Sequence, residues 1–135
     1  MVSTKIQIRF SDCDMLQHVN NAIYLQYFET ARINFFKRSL PDWNWKKEGI
    51  ILAKNTIEYI KPLVLTDECE IEVNCIKIGN TSFTLSYHVK TTYNNEKTIK
   101  CYGESILVCY NFQLNKTIQI PQQLKIVLEK NSIAL

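Results

Sequence analysis

The chain has 135 residues, of which 46% are apolar and 21% charged, with a formal net charge of +3. That length buries one sizeable core, and the composition is that of an ordinary globular protein, which excludes disordered and fibrous classes. Apart from Lys37-Arg38 and Lys46-Lys47 the basic residues are scattered, so no nucleic-acid-binding stripe is expected, although a phosphorylated small molecule needs only a few well-placed cations.

Five cysteines (13, 69, 75, 101 and 109) form no CxxC pair, and their number is odd. This argues against a disulfide framework or a zinc site and for reduced thiols in the cytoplasm. The opening residues MVSTKIQIRF lack the apolar core of a signal peptide, and no run approaches the roughly 18 apolar residues of a membrane span. Three glycines and three prolines leave no linker and no repeat. One soluble, cytoplasmic domain over residues 1–135 is expected.

In chain order, Lys5 to Phe10 alternates, with Ile6, Ile8 and Phe10 on one face, and is predicted as a short strand. A polar stretch follows. Ala22 to Lys37 then has helical spacing, with Tyr24, Tyr27, Phe28, Ala31 and Phe35 on one stripe and Asn20 or Asn21 suited to the N-cap. Ile23, Leu25, Ile33 and Phe36 widen that stripe, which predicts a helix buried on most sides. Ser39-Leu40-Pro41-Asp42 breaks it.

From Ile50 to Ile120 the pattern is that of strands: Ile50 to Tyr59, Glu68 to Ile78, a strand through Phe83, Leu85, Tyr87 and Val89, and a long one from Lys97 to about Phe112. Gly79-Asn80, Asn94-Asn95 and Asn115-Lys116 supply the turns. Pro121 opens a last helix, Gln122 to Lys130. Consecutive strands joined by tight turns imply antiparallel neighbours. An antiparallel sheet covering one apolar helix is an α+β layer architecture, and its uncovered surface implies a homo-oligomer.

The chemistry concentrates in Asp12-Cys13-Asp14 and Gln17-His18-Val19-Asn20-Asn21, just ahead of the long helix. A helix start has unpaired N–H groups and partial positive charge, which polarise a carbonyl, while a nearby carboxylate attacks or activates water. Asp14 and Asn21 are seven residues apart and suit that apparatus for acyl transfer, but spacing alone equally fits loop carboxylates and a helix cap. A phosphoryl-transferring DxD aspartate needs a parallel α/β setting that this chain lacks. Asp12, Asp14 and His18 as metal ligands lack a second ligand cluster downstream, His88 being the only other histidine. No metal or cofactor is expected.

The run Arg9-Phe10-Ser11-Asp12-Cys13-Asp14, then Gln17 to Tyr24 and Tyr27-Phe28-Glu29, resembles the signature of hotdog-fold thioesterases, in particular the 4-hydroxybenzoyl-CoA thioesterase and YbgC-like acyl-CoA thioesterases. Ile57-Glu58-Tyr59-Ile60-Lys61-Pro62-Leu63, followed by Asp67, is similar to that family's second-strand pattern, and QHVNN is also similar to the plant acyl-ACP thioesterases. The resemblance implies a sheet wrapped around one central helix and hydrolysis of an acyl-CoA to free acid and CoA. It places the catalytic carboxylate on Asp14 and the carbonyl-binding backbone N–H on Asn21. His18 matches the plant-type histidine, whose counterpart in CoA-dependent relatives is more often structural. Asp12 is expected to fix the loop and Tyr24 to pack. The acyl-facing acidic position falls on Glu29, for which an ordinary surface pair with Arg32 is the competing reading. Lys61 and Lys90 are candidates to meet the CoA phosphates, completing the substrate-facing set of Tyr24, Glu29, Lys61 and Lys90.

Two departures from the pattern stand out. Leu16 occupies the place of an asparagine proposed to act in the plant enzymes, and Gln17 replaces the glycine of the bacterial GHVNN version. The related enzymes place their sites between protomers, so a homodimer or homotetramer is implied. The rivals are an acyl-ACP thioesterase and a hotdog module that binds acyl-CoA without hydrolysing it.

Overall fold

The structure is a computed structural model and describes residues 1–133. The elements are β1 (Val2–Ile6), a single 3-10 turn (Phe10–Asp12), α1 (Ile23–Ser39), β2 (Glu48–Tyr59), β3 (Glu68–Ile78), β4 (Ser82–Tyr93), β5 (Glu96–Asn111), β6 (Lys116–Thr117) and α2 (Gln122–Lys130). β3 and α2 have the predicted bounds. Asn94 and Asn95, with φ of 50° and 64°, make the β4–β5 hairpin, and Asn115, with φ of 52°, serves the β5–β6 turn.

All strands are antiparallel in one sheet of order β1-β3-β4-β5-β2, with β6 added to β5. The expectation that consecutive strands are neighbours holds for β3, β4 and β5 and fails for β2. The connection over residues 60–67 is no tight turn, and β2 lies at the opposite edge of the sheet from β1, paired with β5 from Glu48↔Asn111 to Tyr59↔Cys101.

The first strand also departs from expectation. β1 pairs with β3 only from Val2↔Val73 to Ile6↔Cys69, because β3 begins at Glu68 and offers no partner further on. Ile8 is still buried, but Phe10, assigned to the same apolar face, is 84% exposed in the 3-10 turn.

α1 packs on the sheet face formed by Ile71, Val73, Leu85, Tyr87, Val89, Cys101 and Leu107, all buried. Phe28 stacks on Tyr87 with ring centroids 4.5 Å apart and planes 6° from parallel. Gly103 on β5, paired with Tyr87, lies under the Phe28 ring, and a side chain there would collide with it. Ala31 and Phe35 are fully buried behind Phe28. The expectation of a helix buried on most sides is corrected, since Leu25, Gln26, Glu29, Ile33 and Lys37 form an exposed stripe. Arg32 is corrected in the other direction. Alongside the expected ion pair with Glu29, 3.9 Å from its Nη2, it is 8% exposed and donates from Nη1 to the Tyr87 hydroxyl at 3.1 Å.

The helix–sheet contact at Gly103 is therefore sensitive to one methyl group. Gly103→Ala is expected to destabilise the fold by about 1–3 kcal/mol, the cost of overpacking a full core, measured by urea or thermal unfolding.

Candidate active site

The site begins as a loop that its own polar groups close. The Asp12 carboxylate accepts from the backbone N–H of Arg9 (3.0 Å) and from the Tyr27 hydroxyl (2.6 Å), fixing the loop both to itself and to α1. The Asp12 carbonyl accepts from Asn20 N–H at 2.8 Å. Cys13 and Val19 then form an antiparallel bridge, and Asp14 and His18 close the tip, with Asp14 N–H donating to the His18 carbonyl at 2.8 Å. Gln17 sits at φ 65°, the left-handed region that favours glycine, which accounts for glycine at this place in the related pattern. Val19 N–H donates to the Leu63 carbonyl at 2.9 Å, so the loop is also fastened to the connection between β2 and β3.

Asp14 is exposed at the end of this hairpin. Its Oδ1 accepts from Leu16 N–H at 2.9 Å, while Oδ2 has no partner among the described residues. Asp14 lines a cleft of about 340 Å³ together with His18, Asn21, Tyr24, Tyr59 and Lys61. It also borders a hollow of about 590 Å³ on the other side of the loop, where Phe10, Cys13, Leu16 and Leu65 contribute. Phe10, Leu16 and Leu65 are all exposed apolar side chains.

The helix start has its own pattern. Asn20 Oδ1 accepts from Ala22 N–H and the Asn20 carbonyl from Ile23 N–H, each at 2.9 Å. Asn20 thus performs the capping, although Ala22 is the residue directly before the helix and makes no side-chain cap bond. Of the N–H groups of residues 20 to 23, Asn21's has no partner among the described residues. The first turn of a helix carries such unpaired donors and a positive field.

Tyr24 is 2% exposed and its hydroxyl accepts from Leu63 N–H at 3.2 Å, so it packs as expected while its edge reaches the cleft. Burial raises its phenol above the ordinary value. Burial, and next the hydrogen bond to Asp12, raise that of Tyr27 strongly, so Tyr27 stays a protonated donor.

The structure brings Asp14, His18, Asn21, Tyr24 and Lys61 together. It does not bring Glu29 or Lys90 to them within the chain. The Glu29 side chain is 66% exposed on the open stripe of α1, 3.9 Å from Arg32. Lys90 Nζ is held by both carboxylate oxygens of Glu72 at 2.8 and 2.9 Å, on the sheet face away from α1. Among the described residues no three His, Cys, Asp or Glu side chains converge to hold a metal ion, and the Asp12 carboxylate is directed to Tyr27 rather than to Asp14.

Two tyrosines were missed by sequence reasoning: Tyr27 as the partner of Asp12, and Tyr59, whose hydroxyl donates to the Asn21 carbonyl at 2.8 Å. The only signal was a tyrosine at the end of an apolar strand, and nothing in its spacing announces a partner 38 residues earlier.

A long helix wrapped by an antiparallel sheet, with a carboxylate loop at its start, is the hotdog class of thioesterase fold. The family profile described as the thioesterase-like superfamily matches residues 8–128, and the chain belongs to that superfamily. It is similar to the long-chain acyl-CoA thioesterase FadM of Escherichia coli, at 26% identity over 96% of this chain and 98% of that protein. It is 32% identical to the uncharacterised protein YsmA of Bacillus subtilis over 83 residues, which is 62% of this chain and 56% of YsmA. Among solved structures, a thioesterase of Thermus thermophilus complexed with coenzyme A and zinc superposes with a TM-score of 0.79 at 29% identity, over 95% of this chain and 91% of that one. Among the described residues no helix is long and apolar enough to cross a membrane.

Thiol chemistry offers a direct check on the loop. Burial pushes the thiols of Cys69 and Cys101 up to about 12 and those of Cys75 and Cys109 to about 11, so at pH 8 all four stay protonated and enclosed. Cys13 alone is partly accessible. The native protein is expected to react rapidly with one equivalent of a thiol reagent such as dithionitrobenzoate at pH 8, and the denatured protein with five. Rapid native reaction of two or more would contradict the burial of the sheet cysteines.

Proposed function

We propose that the protein is an acyl-CoA thioesterase that hydrolyses its substrate with Asp14 and the backbone N–H of Asn21. One observation carries this reading: among the described residues, a carboxylate with a free oxygen and a helix-start residue with an unpaired N–H line the same small cleft, while the Asp12 carboxylate and the N–H, carbonyl and side-chain oxygen of Asn20 are occupied. The N–H of Asn21 binds the thioester carbonyl oxygen, where negative charge develops as the carbonyl carbon becomes tetrahedral. Asp14 either attacks that carbon, giving a mixed anhydride and CoA thiolate that water then resolves, or takes a proton from the attacking water. The products are the same on both routes: free acid and CoA thiol.

FadM supports the acyl-CoA assignment by its name and full-length match, and the Thermus structure supports the carrier by the coenzyme A it holds. Lys61, exposed at the mouth of the cleft, is the cation suited to a CoA phosphate, whereas Lys90 is neutralised by Glu72. His18 borders the cleft and supports its wall. The working form is a homodimer or homotetramer. Leu25 and Ile33 on α1 and Leu52 on the edge strand β2 are exposed apolar side chains that a second copy would cover, and Glu29 lies among them.

A free-thiol assay over a panel of aliphatic and aromatic acyl-CoAs tests the reading. Asp14→Asn is expected to lower kcat by roughly 10²–10⁴ while the protein stays folded, as loss of a general base or nucleophile does. Asp12→Ala is expected to reduce stability through the loop and to retain measurable turnover. Full activity of Asp14→Asn would overturn the assignment, and wild-type binding of acyl-CoA without turnover would make the protein a carrier module.

A further inference from the structure

The turn ahead of α1 is tied at nearly every backbone polar group. Asn20 is occupied on its N–H, its side-chain oxygen and its carbonyl. The Asn21 carbonyl is occupied too, but from outside the turn, by the Tyr59 hydroxyl at 2.8 Å. Tyr59 is the last residue of β2, paired with Cys101 on β5, so its position is set by the sheet and not by the loop. Its ring packs edge-on against Tyr24, with centroids 5.0 Å apart and planes at 88°, and Tyr24 is itself fastened to Leu63.

We propose that Tyr59 is a positioning residue for the reaction, holding the Asn21 carbonyl so that the N–H of the same residue stays unpaired and directed at the thioester carbonyl. This rests on the thioesterase reading given above. Without the hydroxyl, the Asn21 carbonyl is left beside the N–H groups of Tyr24 and Leu25, its helical partners three and four residues on, of which Leu25's otherwise donates to the Ala22 carbonyl at 3.3 Å. Drawing it into the helix rotates the peptide units on both sides of the Asn21 α-carbon and re-aims the donor. The hydroxyl therefore prevents the helix from extending backward by one residue. Tyr59 borders the same cleft as Asp14 but is needed for what it does to Asn21, not for contact with the acyl group.

Tyr59→Phe keeps the ring and its contact with Tyr24 and removes only the hydrogen bond. The full chain is assayed for kcat and KM with a hydrolysed acyl-CoA, and for affinity toward two stable analogues. One is a ketone in which methylene replaces the thioester sulfur; the other is a thioether that lacks the carbonyl. The expected result is kcat about tenfold lower, with KM raised and ketone binding weakened together by only about two- to threefold and thioether binding unchanged, because the hydrogen bond to the carbonyl oxygen is strongest in the transition state. Equal weakening of both analogues, or of neither, overturns the positioning role. If Asp14→Asn abolishes turnover while Tyr59→Phe keeps wild-type kcat and the wild-type ratio of the two affinities, this proposal falls and the thioesterase reading stands. Failure of the wild type to bind either analogue or to hydrolyse any acyl-CoA overturns both.

Discussion

The hydrogen bond between the Tyr27 hydroxyl and the Asp12 carboxylate, at 2.6 Å, is the constraint on which the site's geometry depends. Tyr27 is 6% exposed on the inner side of α1, so it moves only if the core moves. Asp12 passes that rigidity outward in two directions. Its carboxylate also takes Arg9 N–H and its carbonyl takes Asn20 N–H, so the start of the loop and the residue that caps the helix are held by one amino acid. Asp14 and Asn21 lie just beyond these two anchors. A charge-accepting bond of this kind is short and directional, and losing it would leave Tyr27 with a buried, unpaired hydroxyl.

The core in turn depends on a close approach. Phe28 lies flat between α1 and the sheet because Gly103 has no side chain and Tyr87 presents a parallel ring. That contact sets how far α1 stands from β4 and β5. Tyr24, one turn nearer the helix start, then reaches Leu63 in the β2–β3 connection, and Tyr59 reaches back from the end of β2 to Asn21. The connection over residues 60–67 thus does more than carry the chain to the far side of the sheet. It receives Val19 N–H on one carbonyl and supplies Leu63 N–H to Tyr24.

Periodicity made much of the fold legible, because a strand facing a core shows its period in the sequence. β3, β4 and β5 followed from alternation and from glycine and asparagine turns, and α2 from Pro121 at its start and the apolar residues after it. Phe10 was misread because alternation continues past the point where β3 stops offering partners, and strand length is set by the partner as well as by pattern. The position of β2 was invisible for a related reason, since a non-local pairing leaves no mark at the connection. For the site, the residue types and their spacing drew attention to Asp14 and Asn21, but only the family resemblance distinguished them from a loop and a cap. Glu29 and Arg32 show the limit of helical spacing. Their separation by three residues correctly makes them neighbours, yet it does not say that Arg32 turns inward to Tyr87 while Glu29 remains in solvent.

What separates reactive from structural groups in this loop is the capacity left after folding, not residue identity. Asp12 and Asp14 are the same amino acid two positions apart, and Asn20 and Asn21 are adjacent asparagines. Asp12 and Asn20 each hold the chain at two or more points. Among the described residues Asp14 retains a free carboxylate oxygen and Asn21 a free N–H, and both residues border one cleft. A buried polar group without a partner is costly, so free capacity persists where water or a ligand can reach it. The stretch is rich in polar residues because two functions share it. One set closes a loop that has no core of its own, and that closure keeps the other set open.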